Sequence, residues 1–161
     1  MIQRIQTVYL FLASVALMVL FFVPIYHYQQ IGPSAHVLDA KITIQGSYVK
    51  NALTNNYELQ NLNNLRMFIV TALSLFLLFT IFQINNRKRQ VGIARILVIA
   101  QFAFVIYLLS SLQHQITAAG ITQVKMGLGV ALPSIAILFT AMAAKAIRKD
   151  EEKVKAADRI R

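Results

Sequence analysis

Four long apolar runs dominate this chain of 161 residues. They cover residues 7–25, 67–84, 93–112 and 127–144, and each holds 18 to 20 residues. A helix of that length crosses about 30 Å of hydrocarbon. Arg95, near the start of the run at 93–112, is the single charged residue in the four runs. The pattern predicts an all-α membrane protein with four transmembrane helices.

The composition supports a single membrane domain over residues 1–161. Hydrophobic residues make up 57% of the chain and charged residues 14%, whereas soluble domains carry about 25% charged residues. The net charge of +10 does not indicate a nucleic-acid partner, because the basic residues cluster at helix ends rather than on a folded face. The absence of cysteine excludes thiolate zinc and iron–sulfur sites, and no cofactor is predicted.

The basic residues near the apolar runs predict the orientation of the chain in the membrane. The amino-terminal side, the turn at residues 85–90, the start of the third run and the tail together hold twelve of them, and the other side holds four. The twelve are Arg4, Arg87, Lys88, Arg89, Arg95, Lys145, Arg148, Lys149, Lys153, Lys155, Arg159 and Arg161, and the four are Lys41, Lys50, Arg66 and Lys125. This asymmetry predicts that both termini and the tail at 145–161 are cytoplasmic, with outer loops at 26–66 and 113–126.

The first outer loop shows two local patterns. Residues 39–45 alternate polar and apolar side chains, which is the period of a half-buried strand, and Gly46 and Ser47 can turn this strand back through residues 48–50. We therefore expect a small β-element in this loop. Residues 51–64 are rich in asparagine and place leucines at roughly helical spacing, so we expect them to extend the second helix outward.

The tail is expected to continue the fourth helix. Val154, Ala157 and Ile160 fall at helical spacing within a segment of mixed charge. Such a segment is either a solvated helix end or a docking helix for a protein partner or anionic lipid. These three residues are candidate partner-binding residues.

The apolar runs offer few groups for chemistry, since they contain no Asp, Glu, Lys or His. Gln101 is expected to bond between helices or at a subunit contact, because an amide at membrane depth needs a partner. Arg95 can reach the headgroups from its position, and both residues are candidate partner contacts. His27, His36 and His114 fall on the outer side without a helical pair or a carboxylate motif, which predicts neither a metal site nor a catalytic site.

Three segments resemble one known family. They are the opening at residues 1–10, the close at 146–161 and the Gly127-Leu-Gly-Val-Ala-Leu-Pro133 start of the fourth apolar run. Together they resemble an uncharacterised family of small four-helix inner-membrane proteins of Bacteroidota, classed as a domain of unknown function. The resemblance covers essentially the whole chain. It implies a bacterial inner-membrane location and brings no activity, substrate or site residues.

Two functions remain open at this point. The first is a non-enzymatic accessory or scaffold subunit of a larger membrane assembly, partnered by another membrane protein or by further copies of itself. The alternative is a small transporter, channel or lipid-binding membrane protein, with Gln101, Thr71, Ser74 or Thr140 lining a cavity.

Overall fold

The computed structural model describes residues 3–31, 37–51, 54–83, 87–118 and 124–158. Within them the chain forms four α-helices, α1 (Gln3–Val19), α2 (Asn64–Phe82), α3 (Arg87–Ala118) and α4 (Ala131–Asp158). A short 3-10 turn at Leu128–Val130 precedes α4. Both α1 and α3 pack against α2 and α4, so the helices form a ring of four.

Five antiparallel strands form one sheet beside the helices. Their bounds are β1 (Tyr26–Ile31), β2 (Val37–Ile42), β3 (Gly46–Lys50), β4 (Tyr57–Leu62) and β5 (Val124–Met126). The order across the sheet is β4-β3-β2-β1-β5, and every neighbouring pair is antiparallel. The prediction of an all-α fold is therefore wrong. The expected small β-element is a five-stranded sheet, and the polypeptide has a mixed helix and strand fold.

The prediction of four membrane-spanning helices is also wrong. In the described part of the chain, three helical segments are long and apolar enough to cross a membrane, Asn64–Phe82, Arg89–Thr117 and Leu128–Lys153. The apolar part of α1, Ile5–Val19, is shorter and measures about 22 Å at 1.5 Å per residue.

The first apolar run divides because α1 ends at Val19 and the chain then turns toward the sheet. Beyond Val19 the backbone tightens into turns, and the amide of Leu20 donates to the carbonyl of Leu17. Pro24 has no amide hydrogen to continue a helix. Leu20 and Ile25 are then fully buried at the junction of helices and sheet. An apolar run without charge suits this junction as well as it suits lipid.

The expected outward extension of the second helix through residues 51–64 is replaced by a turn and a strand. Asn55 adopts a positive φ of 58°, and its amide donates to the carbonyl of Asn51 at 2.9 Å. Asparagine tolerates this left-handed conformation better than most residues. The chain then forms β4, and the Asn63 side chain accepts a hydrogen bond from the Arg66 amide at the start of α2.

The segment at residues 113–126, which is expected to be the second outer loop, contributes a strand that local pattern does not predict. Helix α3 starts at Arg87 and continues to Ala118, so it takes up much of the expected turn at residues 85–90 and the beginning of the expected loop at 113–126. β5 then pairs with β1, with Tyr26 opposite Met126. This pairing completes the sheet with residues from the far end of the chain.

The sheet and the helices share one hydrophobic core. Alternate residues of β1 and β2 are buried in it, namely Tyr26, Tyr28, Ala40 and Ile42. They join Leu10 and other buried side chains of the helices. The intervening residues His27 and Gln29 are exposed, as the two-residue period of a strand requires. The sheet therefore has one face fixed to the helices and one face free.

Candidate functional site

The sheet ends in an exposed edge strand, β4. All six of its residues are exposed, including Tyr57, Leu59 and Leu62 at 41, 45 and 49% of their surface. Its one neighbour among the described strands is β3. An edge strand of this kind presents unpaired amide and carbonyl groups that can pair with another chain. The strand contains no proline and a single charge, Glu58, so little in its sequence blocks such pairing.

Side-chain contacts hold β4 in place on the sheet. The ammonium of Lys41 lies 4.0 Å from the ring centre of Tyr57 and 5.6 Å from that of Tyr48. These cation–π contacts connect β2 to β4 across β3. The Asn51 amide also donates to the Glu58 carboxylate at 2.7 Å. These contacts hold the β4 edge in a defined position on the sheet.

The free face of the sheet carries positive charge. Lys125, His27 and Lys41 are opposite one another on β5, β1 and β2. A polar pocket of about 260 Å³ lies beside them, and Asp39 and Tyr57 belong to its lining. Two lysines, Lys41 and Lys125, and one carboxylate, Asp39, therefore lie on or next to this row.

The two histidines that the structure describes are not gathered into a metal site. His27 and His114 are both exposed, on β1 and α3, and His36 lies outside the described residues. Within the described ranges, no group of three or more His, Cys, Asp or Glu residues is placed to hold a metal ion.

Gln101 is buried in the helical ring with 1% of its surface exposed. Neither its amide nitrogen nor its amide oxygen has a hydrogen-bond partner in the described part of the chain. Arg95 lies on the exposed surface of α3. The structure therefore places these two candidates on different faces of one helix, and their part in binding a partner stays a prediction.

Other buried polar groups do connect the helices. The hydroxyls of Ser14 on α1 and Ser74 on α2 are 2.9 Å apart and both are buried. The Gln90 amide of α3 donates to the carbonyl of Thr80 on α2 at 3.0 Å. These bonds fix the relative positions of three helices around the shared core.

Arg66 is the main residue that sequence reasoning missed. It was counted among the basic residues of the first outer loop, but it lies in the first turn of α2 with 0% of its surface exposed. Its guanidinium donates to Ser111 and interacts with Tyr107. Tyr107 and Ser111 are four residues apart, hence on one helical face. The sequence does contain a signal for this contact. Arg66 directly precedes one apolar run, and the polar pair Tyr107 and Ser111 lies near the end of another.

The candidate residues of the tail are only partly described. Helix α4 continues through residues 154 and 157 to Asp158, whereas the side chains of Val154 and Ala157, and all of Ile160, lie outside the described residues. Their hypothesised binding of a partner stays a prediction. The neighbouring turn of α4 carries an ion pair between Arg148 and Glu152 at 2.9 Å.

A comparison with curated proteins gives no match. A comparison with protein families gives one, over residues 2–160, to a model described as a domain of unknown function, DUF4293. The expected resemblance to a family of unknown function is confirmed at this level across nearly the whole chain. Helix α1, the sheet and the Gly127–Pro133 segment all lie within the matched range. The chain belongs to the DUF4293 family.

Proposed function

We propose that this protein is a non-enzymatic accessory or scaffold subunit of a larger assembly in the bacterial inner membrane. In this proposal a partner subunit adds an extended segment to β4. The exposed edge of β4 is the observation that carries the proposal, because it combines unpaired backbone groups with three exposed apolar side chains.

Strand addition suits this edge for two reasons. Main-chain hydrogen bonds supply affinity in such complexes, and side chains on alternate positions supply specificity. Tyr57 and Leu59 lie two residues apart and hence on one face of the strand, next to the Lys41 ammonium that contacts the Tyr57 ring. Tyrosine is a frequent anchor in protein interfaces. A partner strand would cover these side chains together with the backbone edge.

The charge of the free sheet face adds a condition on the partner. His27, Lys41 and Lys125 form a row across three strands. An acidic surface next to the added segment complements this row and favours encounter and correct register. The proposed partner therefore joins a short extended segment to a negatively charged surface.

The orientation belongs to the same proposal. The Gln6 amide donates to the carbonyl of Ala146 at 3.4 Å, so the start of α1 and the last part of α4 lie at one end of the helical ring. The twelve-to-four distribution of basic residues assigns that end to the cytoplasm and the sheet to the outer side. We place the protein among small inner-membrane proteins of Bacteroidota. Reporter fusions at Asn55 and after Arg161 test the proposed orientation, and a tail reporter that is active on the outer side contradicts it.

Two variants test the docking of a partner strand. Leu59→Lys combined with Leu62→Lys places charges on the β4 edge, which is a natural protection against strand pairing. Met126→Lys is the matched control, since Met126 is exposed on β5 at the opposite edge. Both proteins are purified in mild detergent from cells that express them at equal levels. A photo-crosslinking residue in place of Gln60 identifies the chain that contacts β4.

The expected result is a heterologous subunit that crosslinks to position 60 through a contiguous segment. Wild type and the Met126→Lys control retain this subunit, and the double variant loses it. Equal recovery with all three proteins excludes docking at β4. A crosslink to a second copy of this chain alone replaces the accessory role with homo-oligomerisation.

A further inference from the structure

An apolar groove lies between α1 and α4, at the end of the ring opposite the sheet. It has a volume of about 460 Å³, within the range of ligand pockets. Ile5, Tyr9 and Met142 form its apolar wall. The Tyr9 ring stacks on Phe139 with centroids 6.4 Å apart, which fixes the wall next to the core.

The groove lies where α4 continues beyond its hydrogen bond with α1. Gln6 bonds to Ala146, and the described part of α1 begins at Gln3. Helix α4 continues from Ala146 to Asp158, a length of about 18 Å. One face of α4 therefore projects past Gln3 and is uncovered by the described part of α1.

Three lysines line this uncovered face. Lys145, Lys149 and Lys153 are spaced four residues apart and all border the groove, so they form a row about 12 Å long. None of them forms an ion pair with a described residue. Asp150 also lines the groove and has an interaction of its own. Three ammonium groups against one carboxylate leave the rim positive.

We propose that this groove binds one anionic phospholipid. An acyl chain lies along Ile5, Tyr9 and Met142, and the headgroup phosphate binds the row of lysines. Apolar floor and cationic rim meet where the fourth apolar run ends, at residue 144, and the row of lysines begins, at Lys145, as the chains and the headgroup of one lipid require. Lysine side chains at such a level extend toward the headgroups, and basic clusters there attract anionic lipid.

This site is independent of strand addition at β4, because the two surfaces lie at opposite ends of the helical ring. The proposed lipid site also uses different residues from those that the sequence analysis proposes for lipid binding by the tail. The apolar positions 154, 157 and 160 suggested a docking helix, whereas the groove uses the preceding turns of α4 together with the start of α1.

Native mass spectrometry of the full-length protein in detergent tests the proposal. The probes are phosphatidylglycerol and phosphatidylcholine with identical acyl chains, and glycerol phosphate without chains. Lys149→Gln combined with Lys153→Gln removes two charges from the groove. Lys50→Gln combined with Arg89→Gln is the charge-matched remote control, because Lys50 lies on β3, Arg89 is exposed on α3 and neither lines the groove. Ile5→Trp fills the apolar wall.

Wild type should bind its first phosphatidylglycerol roughly ten- to thirty-fold more tightly than phosphatidylcholine. The variant Lys149→Gln with Lys153→Gln should lose that preference and the remote control should retain it, while Ile5→Trp should weaken the binding of both lipids. Equal loss in the groove variant and in the remote control reduces the effect to net charge and overturns the proposal. If glycerol phosphate, which has no acyl chains, displaces the lipid at equal concentration, the acyl chain contributes nothing to binding and the proposal is overturned. Thermal unfolding without lipid verifies that each variant is folded.

Discussion

The guanidinium of Arg66 donates a hydrogen bond from Nη2 to the hydroxyl oxygen of Ser111 at 2.8 Å. This bond joins the first turn of α2 to the carboxyl-terminal part of α3. The other two guanidinium nitrogens, Nε and Nη1, are buried without a hydrogen-bond partner in the described part of the chain. Arg66 is thus a buried cation with two polar partners, Ser111 and Tyr107, and no carboxylate among the described residues bonded to it.

We expect Ser111→Ala to destabilise the protein more than Arg66→Met. The first change removes one of the two polar partners of a buried guanidinium, at about 1–3 kcal/mol, whereas the second removes the buried charge and keeps most of the volume. Thermal unfolding in detergent measures both. In the Arg66→Met background, Ser111→Ala should have almost no further effect. A larger loss with Arg66→Met than with Ser111→Ala contradicts this account and indicates that the charge is needed.

Gln101→Leu should raise the thermal midpoint and leave membrane insertion intact. The substitution removes a buried amide that bonds to no described residue, and such groups cost about 1–3 kcal/mol. Gln90→Leu is the matched control, because this buried amide on the same helix donates to the Thr80 carbonyl and its loss should lower the midpoint.

The same Gln101→Leu variant tests the association expected from the sequence. If Gln101 binds a subunit, recovery of that subunit falls although the isolated chain is more stable. A lower midpoint for Gln101→Leu in the absence of partners would show that the amide has an acceptor within this chain.

Gly127→Ala should destabilise the fold strongly. A Cβ atom on Gly127 would lie 2.4 Å from the carbonyl oxygen of Pro24. The atoms it meets belong to the backbone of Pro24 and Ile25, which cannot move aside as a flexible side chain can. The close approach serves the hydrogen bond from the Gly127 amide to the Ile25 carbonyl at 2.8 Å. Overpacking of this kind costs about 1–3 kcal/mol.

Gly92→Ala is the control for that experiment, since a Cβ atom on Gly92 meets nothing within 4 Å. Alanine is also preferred over glycine in helices by about 1 kcal/mol, so this variant should be neutral or stabilised. Chemical unfolding in detergent compares the two. Equal stability of both variants would show that the Pro24–Gly127 approach can open without cost.

Alkaline stability should depend on Tyr28. Burial raises the pKa of this phenol above its ordinary value of 10.0. The folded protein therefore holds the proton more tightly than the unfolded chain, and this contribution is complete below pH 10 and lost as pH rises through the folded-state pKa. Tyr28→Phe should show a shallower loss of thermal midpoint as the pH rises above 10. An unchanged slope would exclude Tyr28 as the group responsible.

Local sequence was enough to predict several elements, and where it failed, the failures have identifiable causes. The alternation at residues 39–45 predicted strand, and the structure has β2 and then a turn at Thr43–Gln45, about three residues before the expected turn at Gly46. The leucines of residues 51–64 suggested a helix, although Tyr57 and Leu59 also fit the two-residue period of β4. Asn55 forms a turn before β4 and Asn63 caps α2 after it, so the segment between them is a strand rather than a helix.

The sequence by itself determined where apolar segments lie and how basic residues are distributed, because both depend on residue type along the chain. Tertiary structure decided which apolar segments are covered by protein. Residues 20–25 were assigned to lipid from their composition, yet Leu20 and Ile25 fill the junction between helices and sheet. β5 became a strand because β1 offered an open edge, and Arg66 became buried because α3 faces it. Each outcome depends on contacts between residues far apart in sequence. The hydrophobic period of a single segment cannot predict such contacts.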